Sequence, residues 1–116
     1  GAAGAAGVAP RGGGGARFVE YFAAGCPHCQ RLAPVWSDAT QQWQARQQGV
    51  GADHAVEWQQ KECYAKGWEE GRDVAECKKA DVHAFPTMRL LDGSGQVLGT
   101  YAGKRAAPDM VRWVEA

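Results

Sequence analysis

The sequence predicts one α/β domain, a mixed central sheet flanked by helices, with its elements in the order β-α-β-α-β-β-α. Three observations predict it. A segment of alternating apolar and polar residues, Arg17 to Ala23 (RFVEYFA), runs into a long stretch of helical period and then into a second strand-like segment. That order asks for a parallel pair joined by a right-handed crossover. Two later strand-like segments are separated by Asp92-Gly93-Ser94-Gly95, which is hairpin chemistry and gives an antiparallel pair.

The bulk numbers agree with one domain. The chain has 116 residues, 45% of them hydrophobic, enough for a single modest core. Lys plus Arg number 13 and Asp plus Glu number 13, so the net charge is zero and the totals show no basic face for nucleic acid. The longest apolar run is too short to span a bilayer. The N-terminus has no basic region followed by an apolar run, so no secretory leader is read there. Residues 1–16 (GAAGAAGVAPRGGGGA) are rich in glycine and alanine and read as a flexible linker or tag, with the domain proper at 17–116.

The elements follow in order. A helix is expected over 27–48, because Pro27 suits a first turn and Leu32, Val35, Trp36, Ala39 and Trp43 recur at helical spacing. Pro34 lies inside it and is expected to kink it, and Gly49 and Gly51 end it. A second strand is expected over 54–59 (HAVEWQ), and residues 61–71 read as polar and irregular. Asp73 is placed to cap a short helix running to about Ala80. Strands are expected at 87–91 (TMRLL) and 96–101 (QVLGTY). Pro108 and Asp109 then open a terminal helix with Met110, Val111, Trp113 and Val114 as its apolar stripe.

Cysteines stand at 26, 29, 63 and 77. Cys26-Pro27-His28-Cys29 lies where the first strand gives way to the first helix. There the unpaired N–H groups and the macrodipole of the helix favour negative charge on Cys26, and the thiolate is the nucleophilic form. His28 can donate to that thiolate or stabilise it as imidazolium. Cys29, one helical turn on, is placed to close or resolve a disulfide. The competing reading is a zinc site, with His54 or His83 completing a ligand set. It is disfavoured because 13 residues separate Cys63 from Cys77, whereas zinc ribbons use a second close pair.

The segment FVEYFAAGCPHCQRLAPVW resembles the active-site region of protein disulfide isomerase domains and, more distantly, of thioredoxins. The resemblance covers roughly residues 17–116 and is strongest at 17–36 and 83–105. It implies a thioredoxin fold and a thiol–disulfide oxidoreductase or isomerase acting on protein or peptide thiols and disulfides, with glutathione as a small partner. It requires no cofactor or metal, and it implies the endoplasmic reticulum lumen or another oxidising secretory compartment. It also implies roles residue by residue. Pro86, in Phe85-Pro86-Thr87, matches a cis-proline facing the dithiol, with the backbone of Phe85 available for strand-like pairing with substrate; an ordinary trans proline at a strand start is the alternative. Glu20 matches a buried acid that moves a proton to or from the resolving cysteine. Alternation puts Phe18, Glu20 and Phe22 on one face; the alternative is an exposed glutamate. Arg105, in Tyr101-Ala102-Gly103-Lys104-Arg105, matches an arginine that approaches the dithiol and lowers the resolving thiol's pKa; the alternative is a solvated arginine with Lys104 in its place. Cys63 and Cys77 match a structural disulfide in some isomerase domains, with two free thiols or a second redox pair as the alternatives. Trp58, Tyr64 and Trp68 are expected to pack beneath the loop between them.

Four departures stand out. Gly25 replaces the usual tryptophan. Pro27 replaces the glycine of eukaryotic isomerases and gives the Cys-Pro-His-Cys pattern of bacterial periplasmic dithiol oxidases, which points to an oxidising poise. Residues 59–80 form a longer region than usual, and the strand and helix that precede the active-site strand in full-length domains are not evident in 1–16. The residues also admit two other readings: the thioredoxin module of a larger sulfhydryl oxidase, and a non-catalytic, zinc-stabilised interaction module.

Overall fold

The computed structural model describes residues 15–47 and 55–116. Most of the linker reading (residues 1–14), the helix end at Gln48, its glycine stops and His54 lie outside the described residues.

The first strand, β1 (Arg17–Ala23), leads into α1 (Pro27–Gln47). Next come β2 (Glu57–Tyr64), α2 (Val74–Lys79), β3 (Thr87–Leu91), β4 (Val97–Thr100) and α3 (Ala107–Glu115). The sheet order is β2-β1-β3-β4. β1 pairs parallel with β2 and antiparallel with β3, and β3 pairs antiparallel with β4. This is a thioredoxin fold, a mixed four-stranded sheet with helices on both faces.

Alternation along β1 divides the core in two, because successive side chains point to opposite faces of a strand. Phe18 packs with Leu32, Trp36, Ala39 and Trp43 of α1 and with Met110, Val111 and Val114 of α3. Val19 and Tyr21 face the other way, into a smaller cluster with Cys63, Cys77, Val82 and Leu91. Phe18 is wholly buried, stacked on Trp36 at 5.4 Å and edge-on to Trp58 at 4.9 Å.

β2 departs from expectation. It runs to Tyr64, through the stretch read from sequence as irregular. Its composition (EWQQKECY) carries weak strand preference, yet each residue of Arg17–Phe22 meets a partner from Glu57 to Glu62. Pairing with an apolar central strand supplies the backbone hydrogen bonds, and β2 is an edge strand, so polar side chains cost little there. Asp73 also departs from expectation. It stands at the N-cap of α2 but makes no side-chain cap bond; its carboxylate accepts the backbone N–H of Glu62 at 2.9 Å, tying α2 to β2. Trp58 does not pack beneath the 64–71 loop; it joins the α1-side core against Phe18, Trp36 and Trp43.

Cys63 and Cys77 form a disulfide across a sequence separation of 14, joining β2 to α2. A loop of that length is expected to contribute about 3 kcal/mol by restricting the unfolded chain. The Cys63→Ala/Cys77→Ala variant should lose that amount in urea unfolding. A loss well below about 1 kcal/mol would show that the reduced chain already holds the loop closed.

Candidate active site

The dithiol is built by the end of β1. A tight turn closes when the Cys26 N–H donates to the Ala23 carbonyl at 3.0 Å. The Cys26 carbonyl then accepts the first bond of α1, from the Gln30 N–H at 3.0 Å. Cys26 is therefore the residue just before the helix, where a side-chain acceptor meets the free N–H groups of the first turn. Its sulfur does so. The Cys29 backbone N–H is the main influence lowering its pKa, opposed by partial burial and reinforced by the His28 backbone N–H and the charge of Arg31.

Cys29 lies 4.1 Å from Cys26, and the two are not bonded to each other. Cys29 is buried, and burial pushes its thiol up to about 11, with the neighbouring charges of Cys26 and Glu20 adding to the effect. The two sulfurs are thus unequal: one partly exposed and shifted toward the thiolate, the other enclosed and hard to ionise.

Glu20 is 1% exposed. It faces Gln60, its partner in the β1–β2 register, whose amide donates to the carboxylate at 2.9 Å. Burial raises Glu20 to about 6, against the lowering effects of Gln60 and the charge of Arg105. Glu20, Gln60 and Cys29 share the wall of one cavity of about 210 Å³, with Phe22, Gln30 and Ala33. A buried acid near its own transition point, beside a thiol of high pKa, can take or return that thiol's proton.

The other candidate residues sit around this centre. The His28 ring is exposed and its Nδ1 accepts a hydrogen bond from the Arg31 guanidinium at 2.9 Å, so His28 meets the Cys26 sulfur through its backbone N–H. Arg105 is exposed beside His28 and Arg31, and its charge is felt at Glu20. The Phe85–Pro86 peptide bond is cis and Pro86 is buried. The Phe85 carbonyl lies 3.8 Å from the Cys26 sulfur, which donates to it.

Arg31 and Gln60 were not singled out from the sequence. Arg31 had a readable signal, three residues beyond His28 and so on its helix face. Gln60 had none, since its partnership with Glu20 depends on the parallel register. Among the described residues no group of three or more His, Cys, Asp or Glu side chains is arranged to hold a metal ion.

Residues 15–116 match the Thioredoxin family. The chain belongs to the thioredoxin family. Within it, the chain is 28% identical over 100 residues to protein disulfide-isomerase of Oryctolagus cuniculus, covering 85% of this chain and 16% of that protein. It is 26% identical over 97 residues to protein disulfide-isomerase 5-1 of Arabidopsis thaliana, covering 84% of this chain and 56% of that one. The chain therefore spans only part of the curated relatives it matches. Human ERp44 shares the fold, with a TM-score of 0.72 and 16% identity over 86% of this chain and 24% of that one. At the family level this thioredoxin domain is related to thiol–disulfide oxidoreductases of the protein disulfide isomerase group.

Proposed function

We propose that this domain exchanges thiols and disulfides with protein or peptide substrates through Cys26 and Cys29. The observation that carries the reading is the inequality of the two sulfurs: Cys26 is lowered by helix N–H groups while Cys29 is buried and pushed up to about 11.

In the reducing direction the Cys26 thiolate attacks one sulfur of a substrate disulfide. That S–S bond breaks, one substrate sulfur leaves as thiolate, and Cys26 holds the other in a mixed disulfide. Cys29 passes its proton to Glu20 and attacks the Cys26 sulfur. The mixed disulfide breaks, the second substrate thiolate departs, and a Cys26–Cys29 disulfide remains. Two electrons have moved from the domain to the substrate. The same steps in reverse oxidise a substrate dithiol. The Phe85 carbonyl, beside the Cys26 sulfur, is placed to meet a backbone N–H of the bound substrate chain. His28 contributes through its backbone N–H, and Arg105 sets the Glu20 carboxyl against its burial. Kinship with the isomerases, together with a disulfide at Cys63–Cys77, supports a secretory compartment such as the endoplasmic reticulum lumen, where such bonds persist.

The test is incubation with a scrambled-disulfide protein in a glutathione redox buffer. The domain should restore native pairing and should titrate as a single two-electron couple at Cys26–Cys29. No acceleration over buffer alone would overturn the proposal.

A further inference from the structure

Trp68 is the one aromatic side chain among the described residues with more than half of its surface in solvent, at 51% exposure. It does not pack beneath its loop, as the sequence suggests. Two routes connect it to Cys26. On one side the loop presses on Gly25: a Cβ there would meet the Lys66 carbonyl at 2.4 Å and the Trp68 indole nitrogen at 2.8 Å. The loop thus fills the space that a side chain at position 25, next to the nucleophile, would need. On the other side the Trp68 ring lies 6.3 Å from Tyr64, and Tyr64 stands edge-on to Phe85 at 5.8 Å. The Phe85 carbonyl touches the Cys26 sulfur.

The loop holds this display in place. The Trp68 N–H donates to the Ala65 carbonyl at 2.8 Å, the Ala65 N–H to the Glu69 carbonyl at 2.9 Å, and the Gly71 N–H to the Cys63 carbonyl at 3.0 Å. The Cys63–Cys77 disulfide closes the base. Trp68 has φ of 69°, a left-handed conformation that a bulky residue adopts only when its surroundings impose it. The loop thus holds the indole half in solvent and against Gly25, the residue before Cys26.

We propose that Trp68, Tyr64 and Phe85 form a docking ledge for an apolar side chain next to the reacting cysteine of an extended substrate polypeptide. This rests on the oxidoreductase reading for the identity of the substrate. The occupant follows from continuity and size. The ledge is contiguous with Cys26 and the Phe85 carbonyl, so what lies on it is the chain joined to Cys26. Three rings offer far less than the roughly 800 Å² per partner of a stable protein interface, which suits one side chain rather than a folded partner or a second copy. Position 25 is closed to a contact residue here, and the loop supplies one from the other direction.

The probes are two short linear peptides with serine in place of cysteine, one flanked by phenylalanine and one by glycine. The phenylalanine peptide should bind about tenfold more tightly, as expected for an exposed tryptophan anchor, and should shift the Trp68 indole resonance in NMR spectra. Trp68→Ser should bring the two affinities together, and Trp68→Phe should keep most of the preference. Equal affinities in the wild-type domain, or a preference that survives Trp68→Ser, would overturn the ledge. Exchange with the matching disulfide peptides is measured separately. Exchange without binding preference removes the ledge and leaves the oxidoreductase; preference without exchange does the reverse.

Discussion

Cys26→Ser is expected to abolish exchange, and Cys29→Ser to trap it half-way. With Cys26 gone the remaining active-site thiol is Cys29, buried and with a pKa of about 11. At pH 7 only about one such thiol in ten thousand is ionised. Since the thiolate is the reactive form, Cys29 cannot replace Cys26, and insulin reduction should fall at least ~10³-fold. Cys29→Ser leaves the attacking sulfur in place, with its helix N–H donors. Attack proceeds and escape does not, so mixed disulfides between Cys26 and substrate proteins should accumulate and be visible on non-reducing gels. Insulin reduction at the wild-type rate by Cys26→Ser would sink the assignment of the nucleophile.

Glu20→Gln is expected to stabilise the fold while slowing the second chemical step. Burial raises Glu20 from 4.5 to about 6, so between those pH values the folded state holds a proton that the unfolded state has released. Stability therefore falls as pH rises through this window, and above it the domain carries a cost of about 2 kcal/mol for an ionised buried acid. Glutamine stays neutral and still accepts the Gln60 hydrogen bond. The variant should gain roughly that amount at pH 7.5 and close to nothing at pH 4, read from urea unfolding at both. A gain equal at the two pH values would show that the charge is not its source.

The kinetic effect runs the other way. Resolution requires the Cys29 proton to leave, and ionised Glu20 is the acceptor that shares its cavity. Wild-type resolution of a preformed Cys26 mixed disulfide should rise with pH through about 6, and Glu20→Gln should lose that rise and slow by about 10²-fold at pH 7. Removing the Glu20 charge also eases ionisation of Cys29, but that influence is minor beside burial. Resolution at the wild-type rate in the variant would remove Glu20 from the proton path. A residue kept at a cost to stability is what a site tuned for proton transfer requires.

Much of the fold was legible because it rests on short-range pattern. β1 shows its alternation, α1 its apolar spacing, and the 92–96 turn its chemistry. There the Asp92 carboxylate accepts the Ser94 and Gln96 N–H groups, at 2.8 Å and 3.0 Å, and Gly95 takes φ of 92°. β2 beyond residue 59 carries no strand pattern of its own because it is made by its neighbour: polar residues become a strand when a central strand offers them backbone partners. The place of Trp58 is illegible for the same reason, since its side of the sheet is fixed by register with Phe18.

The order of the elements and the two sulfurs at the helix start were readable from local pattern, because each rests on residues close together in the chain. Only the tertiary structure decided which groups surround those sulfurs. Gln60 reaches Glu20 through parallel pairing, the Phe85 carbonyl reaches Cys26 across 59 residues, and the 64–71 loop brings Trp68 against Gly25. Proximity between distant segments is a property of the packed chain: burial there pushes the Cys29 thiol up to about 11, whereas the Cys26 thiol is lowered by N–H groups of its own helix start.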